Sequence, residues 1–153
     1  MVARLAPPFT LRLQKGKLMK TATDKTEPIG ELAIRVLAMP ENTNPAGDIF
    51  GGWVLSQMDI AGGAVSKKHT KGRTVTVAVE SMVFHKPVLV GDILCCYVEV
   101  LKVGRTSIKV NIETWVDRQY ESIRERVTEG IFTYVAVCPK GTPRVIAEPT
   151  ESN

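Results

Sequence analysis

Residues 48–68 read DIFGGWVLSQMDIAGGAVSKK and carry the clearest structural pattern in the chain. From Trp53 to about Lys68 its apolar residues fall nearly all round a helical wheel, which predicts a helix buried on most sides. Such a helix would be about 25 Å long at ~1.5 Å per residue. The polar run 67–73 ends it and places bases in the last turn, where the helix dipole favours them. One long, largely buried helix is therefore expected.

The sequence on both sides of this helix is typical of β-strands. A short apolar-rich segment at 32–39 precedes the helix and is stopped by Pro40, which has no backbone N–H to donate. Four segments with strand character follow the helix, separated by turn residues: 74–84, 93–101, 106–116 and 126–137. The order of one strand, one buried helix and about four consecutive antiparallel strands predicts an α+β domain in which the strands wrap around the helix.

Length and charge limit the class of protein. The 153 residues, 44% of them hydrophobic, fit one domain with a single core. We predict a disordered basic tail at 1–28, a domain at 29–147 and a short C-terminal tail at 148–153. Six of the 20 Lys and Arg residues and two of the 16 Asp and Glu residues lie in 1–28, so the net charge of +4 belongs to the tail. The rest of the chain, 29–153, is therefore neutral overall, and a neutral segment with few aromatic residues argues against nucleic-acid binding.

The three cysteines, Cys95, Cys96 and Cys138, carry no metal-binding signature. Their number is odd, and neither a Cys-x-x-Cys pair nor a Cys/His spacing is present. Buried free thiols in a reducing, cytoplasmic compartment are expected, because we recognise neither a secretory signal nor an apolar run of the ~20 residues that span a membrane. We expect no metal and no cofactor.

Asp48 precedes a Gly51-Gly52 pair at the start of the helix. A helix N-terminus presents unpaired N–H groups and partial positive charge, and glycines let a ligand approach them closely. Such a position can stabilise the oxyanion of an acyl-transfer reaction, while a carboxylate just upstream can act as a general base or attack directly. The ordinary alternative is that Asp48 only caps the helix. The spacing alone leaves both interpretations open.

Several further sequence blocks follow in order along the chain. The blocks are NPAGDIFGGW at 44–53, MDIAG at 58–62, TVAVESM at 76–82, VGD at 90–92 and VGRTS at 103–107. Together they resemble the acyl-CoA thioesterases of hot-dog fold, most closely the YciA type, over roughly residues 30–138. The fold of that family, a curved antiparallel sheet wrapped around one long central helix, agrees with the order of elements predicted above.

The resemblance implies a site. The family's catalytic acid falls on Asp48 and its thioester-polarising backbone on Gly51 and Gly52. The residues implied to contact the acyl-CoA substrate are Asn44, Ala78, Val79, Glu80, Lys86, Gly104, Arg105, Thr106 and Ser107. Arg105 suits a phosphate, because a guanidinium makes forked hydrogen bonds. Family sites lie between two subunits, so a homo-oligomer is implied, with a trimer of dimers as the usual assembly.

The expected function is hydrolysis of acyl-CoA to a free fatty acid and CoA, and two alternatives stay open. One is an acyl-CoA hydratase or dehydratase of the same fold, and the other is a non-enzymatic acyl-CoA-binding regulator. The hydratase would need a histidine near Asp48, and His85 has no partner acid nearby in sequence. We expect Asp59 to hold a buried hydrogen bond and the basic 67–73 cluster to be solvated surface.

Overall fold

The structure of the chain is a computed structural model that describes residues 27–119 and 123–146. Its strands and helix are β1 Glu31–Leu37, α1 Gly51–Thr70, β2 Thr74–Phe84, β3 Ile93–Val103, β4 Ser107–Asp117 and β5 Arg124–Ala136. One turn of 3-10 helix, Pro40–Asn42, lies between β1 and α1. Nearly all of the predicted basic tail, 1–26, and the predicted C-terminal tail, 148–153, lie outside the described residues.

The five strands form one antiparallel sheet in the order β1-β3-β4-β5-β2. The consecutive strands β3, β4 and β5 form its centre. The two strands that flank the helix in sequence, β1 and β2, form its two edges. Helix α1 lies on one face of the sheet and contacts all five strands. The predicted α+β architecture, a curved antiparallel sheet around one long helix, is confirmed.

One face of α1 forms the core with the sheet. Val54, Met58, Ala61 and Val65 recur at the helical spacing of three to four residues, and all four are buried. They join a cluster of sheet side chains that includes Leu94, Cys96, Val98, Ile108, Val110, Ile112, Phe132 and Tyr134. The opposite face of the helix stays open, and Ile60 is 57% exposed. The prediction of burial on most sides is therefore wrong for a single chain, because the sheet covers only one side.

Gly62 allows a close approach of α1 to β5. A Cβ atom at Gly62 would lie 2.7 Å from Ile112 Cδ1 and closer still to the Tyr134 hydroxyl. That hydroxyl donates to the Asp59 carbonyl at 3.0 Å and to Asp59 Oδ1 at 3.1 Å, and Thr76 Oγ1 donates to the same carboxylate oxygen at 2.6 Å. Burial, reinforced by the Asp59 carboxylate, raises the pKa of Tyr134, so the phenol remains a donor. The predicted hydrogen-bonding role of Asp59 is confirmed, although its side chain is half-buried rather than buried.

The two edges of the sheet differ in chemistry. On β1, exposed Glu31 and Arg35 form ion pairs with Lys68 at 3.0 Å and Asp117 at 3.1 Å, and edge charges discourage pairing with another strand. Strand β2 is longer, and its exposed apolar side chains are Val77, Val79, Val83 and Phe84. Two register shifts against β5 each leave one extra residue on β2, which bends the strand. Within the described chain, β2 is thus an open apolar edge.

The close helix–sheet contact at Gly62 predicts a sharp difference between two neighbouring glycines. Gly62→Ala should lower the free energy of unfolding by about 1–3 kcal/mol, because the new methyl group overpacks the contact with Tyr134 and Ile112. Gly63→Ala should be neutral or stabilise by about 0.5–1 kcal/mol, because its Cβ would lie at an ordinary 3.8 Å from Tyr134 and Ala favours helix. Urea unfolding of both variants measures the difference, and equal effects would contradict this packing.

Candidate active site

The start of α1 presents two backbone donors that have no acceptor. The N-cap residue is Phe50, whose side chain makes no capping hydrogen bond. Its carbonyl accepts from the N–H groups of Trp53 at 2.9 Å and Val54 at 3.3 Å. The N–H groups of Gly51 and Gly52 donate to no acceptor in the part of the chain that the structure describes. The helix thus begins at the glycine pair, two residues before its predicted start, and leaves two donors for a ligand.

Asp48 lies three residues before the first of these donors, in an exposed loop. Its N–H donates to Asn44 Oδ1 at 3.2 Å, and its carbonyl accepts from the Asn44 N–H at 2.7 Å. Asn44 Oδ1 also accepts from the Ala46 N–H at 2.9 Å, so this side chain closes the turn. The Asp48 carboxylate accepts no hydrogen bond from any described residue. The alternative that Asp48 caps the helix is wrong, because the cap position falls on Phe50.

Backbone hydrogen bonds tie the Asp48 loop to the domain. The Ile49 N–H donates to the Val88 carbonyl at 3.2 Å, and the Phe50 N–H donates to the Asn42 carbonyl at 2.8 Å. Ile49 and Val88 are also buried members of the core. Because these bonds follow directly after Asp48, its backbone is fixed while its carboxylate stays in solvent.

A cleft of about 270 Å³ opens beside the helix start. Its mostly apolar lining consists of Ile49, Gly51, Val54, Phe84, His85, Lys86, Pro87 and Val88. Gly51 therefore belongs both to the cleft wall and to the pair of free donors. An apolar cleft that ends at polarising N–H groups is suited to an apolar chain with a carbonyl at its end.

A charge network holds Lys86 at this cleft. Its Nζ lies 2.5 Å from Glu125 Oε1, and Arg118 contacts the other carboxylate oxygen of Glu125 at 3.0 Å. Arg118 also pairs with buried Asp92 and donates to the Pro87 carbonyl at 3.1 Å. The hydrogen bond from Lys86, together with Arg118, lowers the pKa of Glu125. This network could not be predicted from sequence, because Lys86 and Glu125 lie 39 residues apart and Arg118 and Asp92 lie 26 apart.

His85 borders the cleft, but its imidazole turns to the other face of the sheet. The ring of Phe84 lies on the helix side, 3.5 Å from where a Cβ of Gly51 would be. Side chains alternate along a strand, and His85 Nε2 accordingly lies 3.4 Å from Glu129 Oε1 on the opposite face. Glu129 is also paired with Arg126 at 2.8 Å. His85 does have a partner acid, brought to it by β2–β5 pairing, but this arrangement gives the hydratase alternative no support.

The predicted contact residues of β2 lie in the middle of that strand. Ala78 pairs in register with Thr133 and Glu80 with Ile131, which places both on the face away from the helix. Val79 points to the helix side. Glu80 is engaged by Lys109 at 2.9 Å. These three positions line an open sheet edge rather than a closed pocket of one chain.

The predicted phosphate-binding turn lies at the far end of the domain from Asp48. Residues 104–107 form the β3–β4 turn, which the Gly104 N–H closes by donating to the Ser107 carbonyl at 2.7 Å. Ser107 and Val75 both pair with Val135, which places the turn beside the start of β2 and the end of α1. The 20 residues of α1 separate the two ends by about 30 Å. A single chain therefore does not bring Arg105 to Asp48.

The described residues hold neither a group of metal ligands nor a helix that could span a membrane. Within 27–119 and 123–146, no three His, Cys, Asp or Glu side chains are grouped closely enough to hold a metal ion. The three cysteines are free thiols, of which Cys95 and Cys96 are buried and Cys138 is half-buried. No helix in these two ranges is long and apolar enough to cross a membrane.

Comparison with known proteins identifies the family. Residues 46–123 match the model of the thioesterase superfamily, and the chain belongs to that superfamily. A hexameric thioesterase from Yersinia pestis is 52% identical with a TM-score of 0.77, and the match covers 80% of this chain and 99% of that one. A hexameric hotdog fold thioesterase of Campylobacter jejuni is 41% identical with a TM-score of 0.74, over 77% of this chain and 91% of that one. The α+β fold described above is the hot-dog fold.

A curated relative narrows the family further. The acyl-CoA thioester hydrolase YciA of Salmonella typhimurium is 54% identical over 127 residues, which covers 81% of this chain and 95% of the relative. Within the superfamily, the chain falls among the YciA-type acyl-CoA thioester hydrolases.

The hydrogen bonds of Asn44 predict a positioning role for that residue. Asn44→Ala should lower kcat for thioester hydrolysis by about 10–100-fold, because the loop that carries Asp48 loses its internal acceptor and the carboxylate is displaced. Asn44→Asp keeps acceptor oxygens and should retain most of the activity. Steady-state kinetics with a short acyl-CoA measures both variants. A rise in KM with kcat unchanged would contradict this role and favour the direct CoA contact that the resemblance implies.

Proposed function

We propose that the chain hydrolyses acyl-CoA thioesters to a free fatty acid and CoA, with Asp48 and the Gly51 and Gly52 N–H groups as its catalytic groups. The observation that carries this proposal is the pair of free donors at the start of α1, just after a carboxylate that no described residue engages. Both groups belong to a segment whose backbone is fixed by hydrogen bonds. Membership of the YciA-type thioester hydrolases supports the same reaction.

The proposed reaction places the thioester carbonyl oxygen on the two glycine N–H groups. Water attacks the carbonyl carbon while Asp48 accepts its proton, and the oxygen becomes an oxyanion that accepts from Gly51 and Gly52. Collapse of this intermediate breaks the C–S bond and releases the CoA thiolate, which takes up a proton. Alternatively, Asp48 attacks the carbon directly and displaces the CoA thiolate as the C–S bond breaks, and water then hydrolyses the resulting anhydride. One donor of this kind lowers the activation free energy by about 2.7–4 kcal/mol. The reaction consumes only water, so it needs no cofactor.

The complete site is proposed to lie between two subunits. Strand β2 is an open edge with exposed apolar side chains, whereas the β1 edge is charged. Antiparallel pairing of two β2 edges about a two-fold axis would place the Phe84 end of one subunit beside the Thr74 end of its partner. The exposed helix face at Ile60 would be covered in the same dimer. Each Asp48 would then meet the partner's phosphate-binding turn, which its own chain holds about 30 Å away.

This dimer supplies a path for CoA. We propose that the pantetheine arm follows Ala78, Val79 and Glu80 along the β2 edge, and that Arg105 in the turn 104–107 contacts phosphate. Lys86 would stand beside the acyl end, where Glu125 holds it. Three such dimers would form a homohexamer, the assembly of the similar proteins from Yersinia pestis and Campylobacter jejuni.

We further propose a cytoplasmic location. The three thiols, Cys95, Cys96 and Cys138, are all unpaired, which suits a reducing compartment. The proposed substrate, acyl-CoA, is also a molecule of the cell interior.

The catalytic role of Asp48 can be tested by substitution. Asp48→Ala should lower kcat for acyl-CoA hydrolysis by about 10²–10⁴-fold, because no general base remains, while leaving unfolding and CoA binding unchanged. The matched control is Glu41→Gln, which removes a second exposed acid from the same connection between β1 and α1. A thiol-release assay over acyl lengths from acetyl to palmitoyl measures the rates. Near-normal turnover in Asp48→Ala would reject the mechanism, and a wild type that binds CoA but never turns over would favour the regulator alternative.

The shared site can be tested by mixing two impaired variants. Asp48→Ala should be inactive, and Arg105→Ala should have a low kcat/KM. If each site takes Asp48 from one subunit and Arg105 from the other, subunits refolded together should recover up to about a quarter of wild-type kcat/KM, because mixed dimers hold one intact site. Co-purification of two different affinity tags verifies exchange. Activity no higher than the average of the two parents, with exchange verified, would place each site within one subunit.

A further inference from the structure

Lys86 is the cationic side chain in the wall of the cleft at the start of α1. The other residues that line the cleft in the described chain are apolar, apart from His85. The imidazole of His85 turns to the opposite face of the sheet, where it lies 3.4 Å from Glu129 Oε1. An ammonium group beside an otherwise apolar chain site attracts an anionic chain unless another charge compensates it. The selectivity of the cleft therefore depends on what surrounds Lys86.

Glu125 compensates the charge of Lys86. The Lys86 Nζ lies 2.5 Å from Glu125 Oε1. Glu125 pairs in register with Val116, which is buried in the core, so the two side chains share the helix side of the sheet. The hydrogen bond from Lys86, together with Arg118, lowers the pKa of Glu125, which therefore stays ionised at neutral pH.

Arg118 fixes the position of this carboxylate. Its guanidinium donates to Glu125 Oε2 from Nε at 3.2 Å and from Nη2 at 3.0 Å, which leaves Oε1 for Lys86. The same guanidinium pairs with buried Asp92 and donates to the Pro87 carbonyl at 3.1 Å. Because Arg118 is held on several sides, Lys86 meets a fixed counter-ion rather than a mobile one.

The charges of this network balance beside the cleft. Lys86 and Arg118 are the cations, and Glu125 and Asp92 are the anions. A carboxylate at the far end of an acyl chain would meet an ammonium group that is already paired, and it would also approach the like charge of Glu125. An uncharged methyl end meets neither cost. The network therefore favours chains with an apolar end.

We infer that Glu125 determines specificity: by holding Lys86 in an ion pair, it makes the cleft reject acyl chains that end in a second carboxylate, as in the CoA thioesters of dicarboxylic acids. This inference rests on the proposed function, because it concerns the acyl part of the same substrate. Glu125 acts through Lys86 and is a positioning residue. Loss of its charge releases Lys86 to pair with the carboxylate of the substrate.

The first test compares matched substrates in the wild-type protein. The pairs are butyryl- and succinyl-CoA, pentanoyl- and glutaryl-CoA, and hexanoyl- and adipoyl-CoA. The members of each pair have the same number of acyl carbons and differ in the terminal carboxylate. The carboxylate member should have a kcat/KM lower by about 100-fold. Thiol release is corrected for spontaneous hydrolysis, because a terminal carboxylate can attack its own thioester. Equal values within every pair would overturn the inference.

The second test removes the charge of Glu125. Glu125→Gln keeps the shape of the side chain, and Arg118 retains Asp92 and the Pro87 carbonyl as partners. The ratio of kcat/KM for the carboxylate member to that for its partner should rise by about 10–100-fold, through an absolute gain on the carboxylate member. A purely structural defect would lower both values and leave the ratio unchanged.

Glu129→Gln is the matched control. Glu129 is another acid of β5, its side chain is 26% exposed against 24% for Glu125, and it pairs with His85 and Arg126 instead of Lys86. This variant should keep the wild-type ratio, because it removes the same charge from the opposite face of the sheet.

The gain in Glu125→Gln should also require Lys86. Combining Glu125→Gln with Lys86→Met should return the ratio to the wild-type value or below, because no ammonium group remains to meet the substrate carboxylate. An unchanged ratio in Glu125→Gln for all three pairs would overturn the inference. A gain of the same size in Glu129→Gln, or one that persists without Lys86, would overturn it as well.

Binding measurements separate this inference from the proposed function. Titration calorimetry in the Asp48→Ala background should show that Glu125→Gln tightens binding of adipoyl-CoA by about tenfold, relative to Asp48→Ala alone. If the wild type hydrolyses no acyl-CoA while Glu125→Gln still tightens binding of adipoyl-CoA, the proposed function fails and the role of Glu125 stands. If hydrolysis is normal and neither the ratio nor the binding changes, the inference alone fails.

Discussion

Helix α1 is held against the sheet by Val54, Met58, Ala61 and Val65, and the functional elements of the chain take their positions from that contact. Burial of these side chains fixes the axis of the helix and therefore the place where its first turn begins. The Gly51 and Gly52 N–H groups are left without acceptors because an α-helix cannot satisfy its own first donors. The core thus places a polarising group at the surface, and the bond from Ile49 to Val88 places Asp48 just before it.

The same contact separates the two groups of residues that we propose form one site. Since α1 is about 30 Å long, its start and the turn that carries Arg105 lie too far apart for one substrate molecule to use both in the same chain. The open β2 edge and the exposed Ile60 face offer the means to bring complementary ends together in a dimer.

The fold could be predicted largely from sequence, because the hydrophobic periodicity of each helix or strand depends only on residues close together in the chain. The strand predicted at 74–84 has the observed bounds, and the helix differs by two residues at each end. It begins at Gly51 rather than Trp53 because glycine, despite its low helix propensity, is tolerated where the first turn has few internal bonds to lose. The position of β2 at the sheet edge could not be predicted from sequence, since strand order depends on contacts between residues far apart in the chain.

The site could be predicted only in part. Asp48 and the glycine pair lie close together in sequence, so their spacing indicates a candidate site. Only the family resemblance favoured catalysis over capping. The Lys86–Glu125 and His85–Glu129 pairs could not be predicted, because they form only where β2 and β5, distant in sequence, pair in the sheet.

We propose that one acyl-CoA spans two subunits, with its thioester on one and its phosphates on the other. A crystal structure of the protein with a non-hydrolysable 2-oxoalkyl thioether analogue of acyl-CoA, which keeps a carbonyl group, would test this placement. The carbonyl oxygen should lie about 3 Å from the Gly51 and Gly52 nitrogens of one subunit. The phosphates should lie beside Arg105 of the other subunit. An analogue held at both ends by the same subunit, or with its carbonyl away from the helix start, would contradict the shared site.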